Sequence, residues 1–140
     1  GEILQGTSSS TSDGILNSSG EVILKANPVR IDENGNVGNI DISLEDQALS
    51  IVGVAVENIL DGTIGRVVTS GRVEDIVTTA NNGDQLYVSK TGGLTNTKPN
   101  IGVGGFEEGD FVIRIGVVYK NTLNPSKQDL LLNIDVVGQL

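Results

Sequence analysis

The chain has 140 residues, enough for one domain with a buried core, and its nine basic and eighteen acidic residues give a net charge of −9. A surface this acidic repels a phosphate backbone, which argues against nucleic-acid binding. Cysteine and histidine are absent, which excludes disulfides, thiolate metal sites and histidine-based catalysis, and no apolar run approaches the ~20 residues that span a bilayer.

The first segment of the chain is rich in Ser, Thr and Gly. Residues 5–20 read QGTSSSTSDGILNSSG, a tract too polar to offset the entropy of ordering it by burying apolar surface. We therefore predict that residues 1–20 form an extended N-terminal arm that becomes ordered against a partner, with Ile3-Leu4 and Ile15-Leu16 as apolar contact points. A terminus without a role is the alternative that composition leaves open.

From residue 21 the pattern predicts one β domain that extends to residue 140. Asn34-Gly35 predicts a hairpin, and NIDIS at 39–43 alternates between polar and apolar residues. LEDQALS at 44–50 is the one stretch that suggests a helical turn. A second tight turn is predicted at Ser70-Gly71, between two Val-rich strands.

The second half of the domain contains the longest predicted strands. NNGDQLYVSKTGGLTNTKP, residues 81–99, places a short strand between turns at Asn82-Gly83 and Gly92-Gly93. Alternation in the two later strands predicts buried faces made of Phe111, Ile113, Ile115, Val117 and Tyr119 in one and Leu130, Leu132, Ile134 and Val136 in the other. Together these elements predict an all-β fold, a compact antiparallel β-sandwich or barrel of jelly-roll-like or β-tulip-like form.

No constellation in the sequence predicts an active site, a metal site or a cofactor site. Ser89-Lys90 would be a nucleophile and base, but neighbouring strand residues point to opposite faces. DENGN at 32–36 departs from a calcium-binding loop because its sixth and twelfth positions are Val37 and Ser43. Three short acidic runs could supply paired carboxylates, yet solvated charge at turns is the ordinary explanation: Glu107-Glu108-Asp110, Asp32-Glu33 and Glu74-Asp75. We predict that the protein is not an enzyme.

One aromatic residue stands out because of its surroundings. Phe106 lies within GVGGFEEG, residues 102–109, whose glycines resemble a dinucleotide fingerprint but are followed by no helical pattern. An aromatic side chain in such a loop either packs into the core or contacts a partner, and the sequence leaves both options open.

The motifs of the second half resemble a module of tailed-bacteriophage virion proteins, found in capsid decoration (cement) proteins and in some fibre proteins. The resemblance lies in GDQLYVSKTGGLTNTKP, then GDFVIRIGVVYKN, then DLLLNIDVVGQL, and in the earlier IVGVAVENILDGTIGRVVTSGRV. It covers residues 21–140 and involves strands and turns rather than catalytic residues.

The resemblance implies a structural virion protein on the outer surface of the capsid, where it would bridge major capsid subunits and stabilise the shell. Its partners would be the major capsid protein and further copies of itself, as a dimer or trimer, with no membrane and no nucleic acid. The residues expected at capsid or subunit interfaces are Ile3, Leu4, Ile15, Leu16, Phe106 and Leu140. The alternative is a head- or tail-fibre module, or a receptor-binding module, that recognises host-surface glycan.

Overall fold

The computed structural model describes residues 10–76 and 78–140, which form nine strands and one short helix. In chain order these are β1 Ser10–Leu16, β2 Pro28–Ile31, β3 Val37–Gly38, α1 Glu45–Ala48, β4 Ile51–Ala55, β5 Ile64–Ile76, β6 Gln85–Val88, β7 Leu94–Thr95, β8 Phe111–Lys120 and β9 Gln128–Gln139. The predicted all-β class and the short helical turn are confirmed.

The strands form one antiparallel sheet in the order β3-β2-β4-β5-β9-β8-β6-β7, and β1 also pairs with β5. Within the described residues the end strands β3 and β7 do not pair, so the sheet is open rather than closed as a barrel. The pairing shows that residues 10–16, which the sequence pattern assigns to an arm, are a strand of this sheet.

β5 connects the two halves of the sheet. Its first part pairs with β1 and β4, and its last part pairs with β9. We call β1–β4 with residues 64–70 the N-terminal half-sheet, and β6–β9 with residues 71–76 the C-terminal half-sheet. The prediction of a turn at Ser70-Gly71 is wrong, because Gly71, with φ of +91°, lies inside one continuous strand at the point where it changes partners.

Two hydrophobic cores hold the sheet. The main core lies between the half-sheets and takes side chains from both, with Val54 and Val68 from one half and Val73, Leu86 and Ile113 from the other. The smaller core lies within the N-terminal half-sheet and consists of Ile23, Val29, Val37, Ala55, Ile59 and Val67.

The predicted hairpins are confirmed. At Asn34-Gly35 the Asp32 amide donates to the Asn36 carbonyl at 2.8 Å, and Gly35 has φ of +82°. At the other turn, the Ser89 amide donates to the Gly93 carbonyl at 2.9 Å, which joins β6 to β7.

The predicted buried faces of β8 and β9 are correct only in part. In β8, Phe111, Ile113 and Ile115 are buried as predicted, but Val118 is buried instead of Val117 and Tyr119 is 40% exposed. The register with β6 shifts between Arg114 and Gly116, so the inward-facing positions change phase there. In β9, Leu130 is buried, Leu132 and Ile134 are half-buried, and Val136 is exposed.

Candidate functional site

The four predicted contact residues of the N-terminal segment have different surroundings. Ile3 and Leu4 lie outside the described residues. Ile15 is half-buried and packs against the smaller core. Leu16, the next residue of β1, has 38% of its surface exposed. Of this predicted set within the described residues, Leu16 alone is open to a partner.

The other two predicted contact residues belong to the fold. Phe106 is 4% exposed and packs in the main core, so of the two options that the sequence left open, the structure places it in the core. Leu140 is half-buried against the same core, and its amide donates to the Asp110 carbonyl at 2.8 Å. The structure therefore does not bring together at one surface the four of these residues that it describes, Ile15, Leu16, Phe106 and Leu140.

Around Leu16 the structure instead shows an exposed apolar surface. Leu16 pairs in register with Ile64, so these two side chains lie next to each other on one face of the sheet. Ile64 is 68% exposed, and Leu60, at the other end of the turn that precedes β5, is 61% exposed. We call these three side chains, Leu16, Leu60 and Ile64, the β1–β5 apolar surface.

Sequence reasoning missed Leu60 and Ile64 for a physical reason. Ile64 is in phase with Val68, which is buried in the main core, and alternation therefore predicts a buried Ile64. The first residue of β5, however, lies beyond the edge of the main core. Ile64 therefore faces solvent although it is on the same side of the strand as Val68. An apolar residue on each side of the Asp61-Gly62 turn was the one signal that could have found them.

The Ser89-Lys90 pair engages two separate sets of partners. Ser89 Oγ accepts a hydrogen bond from the Gly93 amide at 3.0 Å and lies 3.1 Å from the Thr91 hydroxyl. Lys90 Nζ donates instead to the Asp110 carboxylate. The prediction that these side chains diverge is confirmed, and their geometry offers no base to the hydroxyl.

Asp110 is a buried carboxylate, and both of its oxygens accept hydrogen bonds. Lys90 Nζ lies 2.7 and 2.9 Å from its two oxygens, and the Glu107 amide donates to it at 2.8 Å. The hydrogen bond to Asp110 raises the pKa of Lys90, with smaller contributions from the charges of Asp110 and Glu107, while desolvation acts in the opposite direction. This pair joins the β6–β7 turn to the start of β8 and is structural in character.

A second buried carboxylate, Asp129, lies at the start of β9. It accepts hydrogen bonds from Asn121 Nδ2 at 3.0 and 3.2 Å and from the Asp75 amide at 2.9 Å. The Arg72 guanidinium is 3.7 Å from it and lies over the Tyr119 ring, 5.0 Å from the ring centroid. These contacts neutralise and orient the carboxylate, which is again a structural role.

A polar cavity of about 310 Å³ lies in the N-terminal half-sheet, beside β2, β3 and α1. The side chains that matter for its chemistry are those of Glu21, Arg30, Asp32, Asn39, Asp41 and Gln47. Three carboxylates and one guanidinium make its lining acidic.

Side chain-to-backbone hydrogen bonds fix two walls of the cavity. Asn17 is fully buried, and its Nδ2 donates to the Glu21 carbonyl at 2.7 Å and to the Ile59 carbonyl at 2.8 Å, which fixes the loop that carries Glu21. Asp32 Oδ1 accepts the amides of Asn34 and Asn36 at 2.9 and 3.0 Å, which fixes the β2–β3 turn.

The third wall is fixed in the same way. Gln47 of α1 accepts the Asp41 amide at 3.0 Å through Oε1. Asp41 Oδ1 accepts the Ser43 hydroxyl at 2.6 Å and the Ser43 amide at 3.0 Å, and these bonds lower the pKa of Asp41. The cavity therefore has its shape before any ligand arrives.

Comparison with known proteins identifies no relative: no family model matches the chain, and no curated protein does either. Within residues 10–76 and 78–140, acidic side chains form no group of three that could hold a metal ion. In the same residues no helix is long and apolar enough to cross a membrane.

Proposed function

We propose that the chain is a structural virion protein of a tailed bacteriophage, a capsid decoration protein that binds the outer capsid surface and bridges major capsid subunits. The proposal starts from the strand-and-turn motifs of residues 21–140. The observation that carries it is the β1–β5 apolar surface, because three large apolar side chains exposed at one end of an acidic domain are suited to a protein partner.

The position of this surface supports the proposal further. It is formed where β1 ends and β5 begins, at the opposite end of the β1–β5 ladder from Ser10, which pairs with Ser70. Leu16 and Ile64 are cross-strand neighbours held by the sheet, and a partner would meet them already in place, which lowers the entropic cost of binding. The net charge of −9 favours solubility of the free domain and suppresses nonspecific association.

Particle occupancy tests the proposal. Purified protein with Leu16→Thr and Ile64→Thr is added to undecorated particles of the phage, and bound copies are counted by gel densitometry and cryo-electron microscopy. We expect occupancy to fall at least tenfold. Leu123→Thr is the matched control, because Leu123 is 96% exposed in the β8–β9 connection and outside this surface.

A second variant tests the N-terminal segment. Removal of residues 1–9 leaves β1 intact, whereas removal of residues 1–20 would also delete a strand of the sheet. We expect the 1–9 deletion to fold normally and to bind particles more weakly. Wild-type occupancy with both the deletion and the double Thr variant would contradict the proposal.

The second candidate function is a fibre or receptor-binding module that recognises glycan. Against it, the aromatic residues offer little platform: Phe106, Phe111 and Tyr87 are buried, and Arg72 covers the ring of Tyr119. The polar cavity is the observation in its favour. Retention of the protein on host cells or on a glycan array, and its absence from capsids, would favour this candidate.

A further inference from the structure

We infer that the polar cavity binds a neutral saccharide unit through Arg30 and Asn39. The inference deepens the second candidate function, yet it rests on the cavity's own residues and holds for a decoration protein as well. A binding site of this kind requires preorganised walls, groups that lack partners, and a charge distribution that selects one class of ligand.

Two buried polar atoms of the cavity residues lack partners. Arg30 Nε and Asn39 Oδ1 are inaccessible to solvent and make no hydrogen bond within residues 10–76 and 78–140. Native proteins pair nearly all such groups, so an unpaired donor and an unpaired acceptor on two residues that line one cavity point to a ligand that supplies both partners after the side chains turn. A sugar hydroxyl both donates and accepts, and two neighbouring hydroxyls satisfy the pair.

The two atoms can reach a ligand without a change in the fold. Arg30 and Asn39 are half-buried as whole residues, and both line the cavity. A rotation about the outer bonds of either side chain is therefore enough to turn the unpaired atom toward a ligand in the cavity.

The Asn39 amide makes one long hydrogen bond, from Nδ2 to the Val22 carbonyl at 3.3 Å, and its Oδ1 has no partner. A ligand that engages Oδ1 replaces this single bond. Arg30 lies in β2 opposite Gly38 of β3, so its backbone is fixed by the sheet. Arg30 therefore sits on a strand, and Asn39 directly follows β3.

The charges of the lining select against other ligand classes. Glu21, Asp32 and Asp41 surround the single guanidinium, so an anion would meet a net negative site. A divalent cation would need a cluster of carboxylates, and the described residues contain no group of three with that geometry. Carboxylates also accept hydroxyl groups well, since each can receive about four hydrogen bonds. A neutral polyhydroxy ligand fits all three facts.

The size of the cavity agrees with a single unit. Its volume of about 310 Å³ lies at the lower end of the ~300–1,000 Å³ found for small-molecule sites. Val37 and Ile40 also line the cavity, and they supply apolar contact for the carbon face of a ring in place of an aromatic platform, which the lining does not have.

The experiment uses the isolated full-length protein labelled with ¹⁵N. It is titrated with methyl β-D-glucopyranoside, methyl β-D-galactopyranoside, methyl α-D-mannopyranoside and N-acetylglucosamine, each to about 50 mM, which saturates a site with a dissociation constant near 1 mM. We expect at least one sugar to shift the amide signals of Gly38 and Asn39 in a saturable manner. Calcium chloride and sodium glucuronate are the comparison ligands.

Two variants assign the effect to the cavity. Arg30→Met keeps an unbranched stem but removes the guanidinium and all of its donors, and we expect binding at least tenfold weaker. Arg114→Met is the matched control: this arginine lies in β8, outside the cavity, and pairs with Asp135 at 2.8 Å. Circular dichroism and thermal unfolding verify that both variants fold.

Three results would overturn the inference. These are no saturable shift with any of the four sugars, shifts that Arg30→Met and Arg114→Met reduce equally, and tighter binding of calcium or glucuronate than of every neutral sugar. If Arg30→Met fails to fold, the presence or absence of saturable shifts at Gly38 and Asn39 in the wild-type protein still tests whether a sugar binds in the cavity. Particle occupancy is measured separately, so failure here and failure of the decoration proposal are distinguishable.

Discussion

The two halves of the sheet achieve order by different means. In the C-terminal half-sheet, β8 and β9 have 10 and 12 residues, and they contribute Phe111, Ile113, Ile115, Val118 and Leu130 to the main core. In the N-terminal half-sheet, β2 and β3 have four and two residues, and many side chain-to-backbone hydrogen bonds fix the loops between the strands. One half is held by long ladders and apolar packing, the other by short strands and polar turns.

This difference also separates the buried structural carboxylates from the two surfaces for which we propose a binding role. The buried carboxylates Asp110 and Asp129 lie in the C-terminal half-sheet, where every described partner is structural. The β1–β5 apolar surface and the polar cavity both lie in the N-terminal half-sheet, where loops present side chains that are not used for packing. A long pair of strands exposes few such side chains, because its backbone groups are paired in the sheet and many of its side chains are buried.

The largest expected loss of stability comes from substituting one glycine in each half-sheet, and the two losses test which half is more rigid. A methyl group at Gly116 would overlap the Leu131 carbonyl, and one at Gly53 would overlap the Val68 carbonyl. We expect Gly116→Ala to lower the free energy of unfolding by about 3 kcal/mol, since β9 is held on both sides and cannot move away. Gly53→Ala should cost less, because β4 pairs through short, irregular ladders.

Urea denaturation measures both variants, with Gly138→Ala as the control. Gly138 also lies in β9, but a methyl group added there would have no neighbour within 4 Å, and its φ is not positive. A smaller loss for Gly116→Ala than for Gly53→Ala would show that the C-terminal half-sheet is not the more rigid one.

The next largest effect concerns the two aspartates of β9. Asp129→Asn keeps the shape of a fully buried side chain but removes a charge that accepts hydrogen bonds from Asn121 and Asp75, so we expect a loss of about 1.5–3 kcal/mol. Asp135→Asn, on the same strand, alters an exposed ion pair with Arg114 and should change stability by less than about 0.5 kcal/mol. Equal losses in thermal or urea unfolding would contradict the structural role of Asp129.

Local patterns in the sequence were enough to predict the fold class, the hairpins at Gly35 and Gly92-Gly93, and the burial of Phe111, Ile113 and Ile115 in β8, although they did not predict the burial of Val112. They failed where a strand contains an irregularity. Gly71 looked like a turn because glycine permits positive φ, and nothing local distinguishes a turn from a strand that changes partners. The phase change that buries Val118 instead of Val117 depends on register with β6, which is a non-local property.

The candidate sites were harder to predict than the fold. Leu16 was predicted, because an apolar residue in a polar tract is conspicuous. Ile64 was missed, since its exposure depends on where the core ends. The cavity was also missed: Arg30 and Asn39 are nine positions apart in sequence and come together only through the β2–β3 hairpin, so no spacing rule identifies them.

The pH dependence of stability should also differ between the two half-sheets, and we expect this effect to be smaller than those of the glycine and aspartate substitutions. The pKa of Lys90 is raised from its ordinary value of 10.5, so its pair with Asp110 stabilises the C-terminal half-sheet below pH 10.5 and is lost as pH rises through the raised value. The pKa of Asp41 is lowered from 3.8, so its contribution to the N-terminal half-sheet is present above pH 3.8 and is lost as pH falls through the lowered value.

Two variants test which residue causes the loss of stability at each end of the pH range, at high pH (the alkaline limb) and at low pH (the acid limb). The stability difference between wild type and Lys90→Met should be constant from neutral pH up to pH 10.5 and shrink above it, as measured by urea denaturation across pH. Ser43→Ala, which removes the strongest hydrogen bond to Asp41, should narrow the acid limb alone. The charge of Lys90 is the last of the causes that lower the pKa of Asp41, so Lys90→Met should narrow the acid limb slightly, and complete loss of that limb in this variant would contradict the assignment.

The smallest expected effect on stability is also the most informative about binding. Ile64 and Val68 have the same phase on β5, but Ile64 is exposed and Val68 is in the main core. Val68→Thr places a hydroxyl in that core and should lower the free energy of unfolding by about 1–3 kcal/mol. Ile64→Thr should change it by less than about 0.5 kcal/mol, because both side chains are β-branched and this one contributes little to packing. A large loss at Ile64, measured by urea denaturation, would mean that this residue serves the fold. An unchanged stability, combined with lower particle occupancy for the Leu16→Thr and Ile64→Thr protein, would mean that the N-terminal half-sheet displays this side chain for a partner.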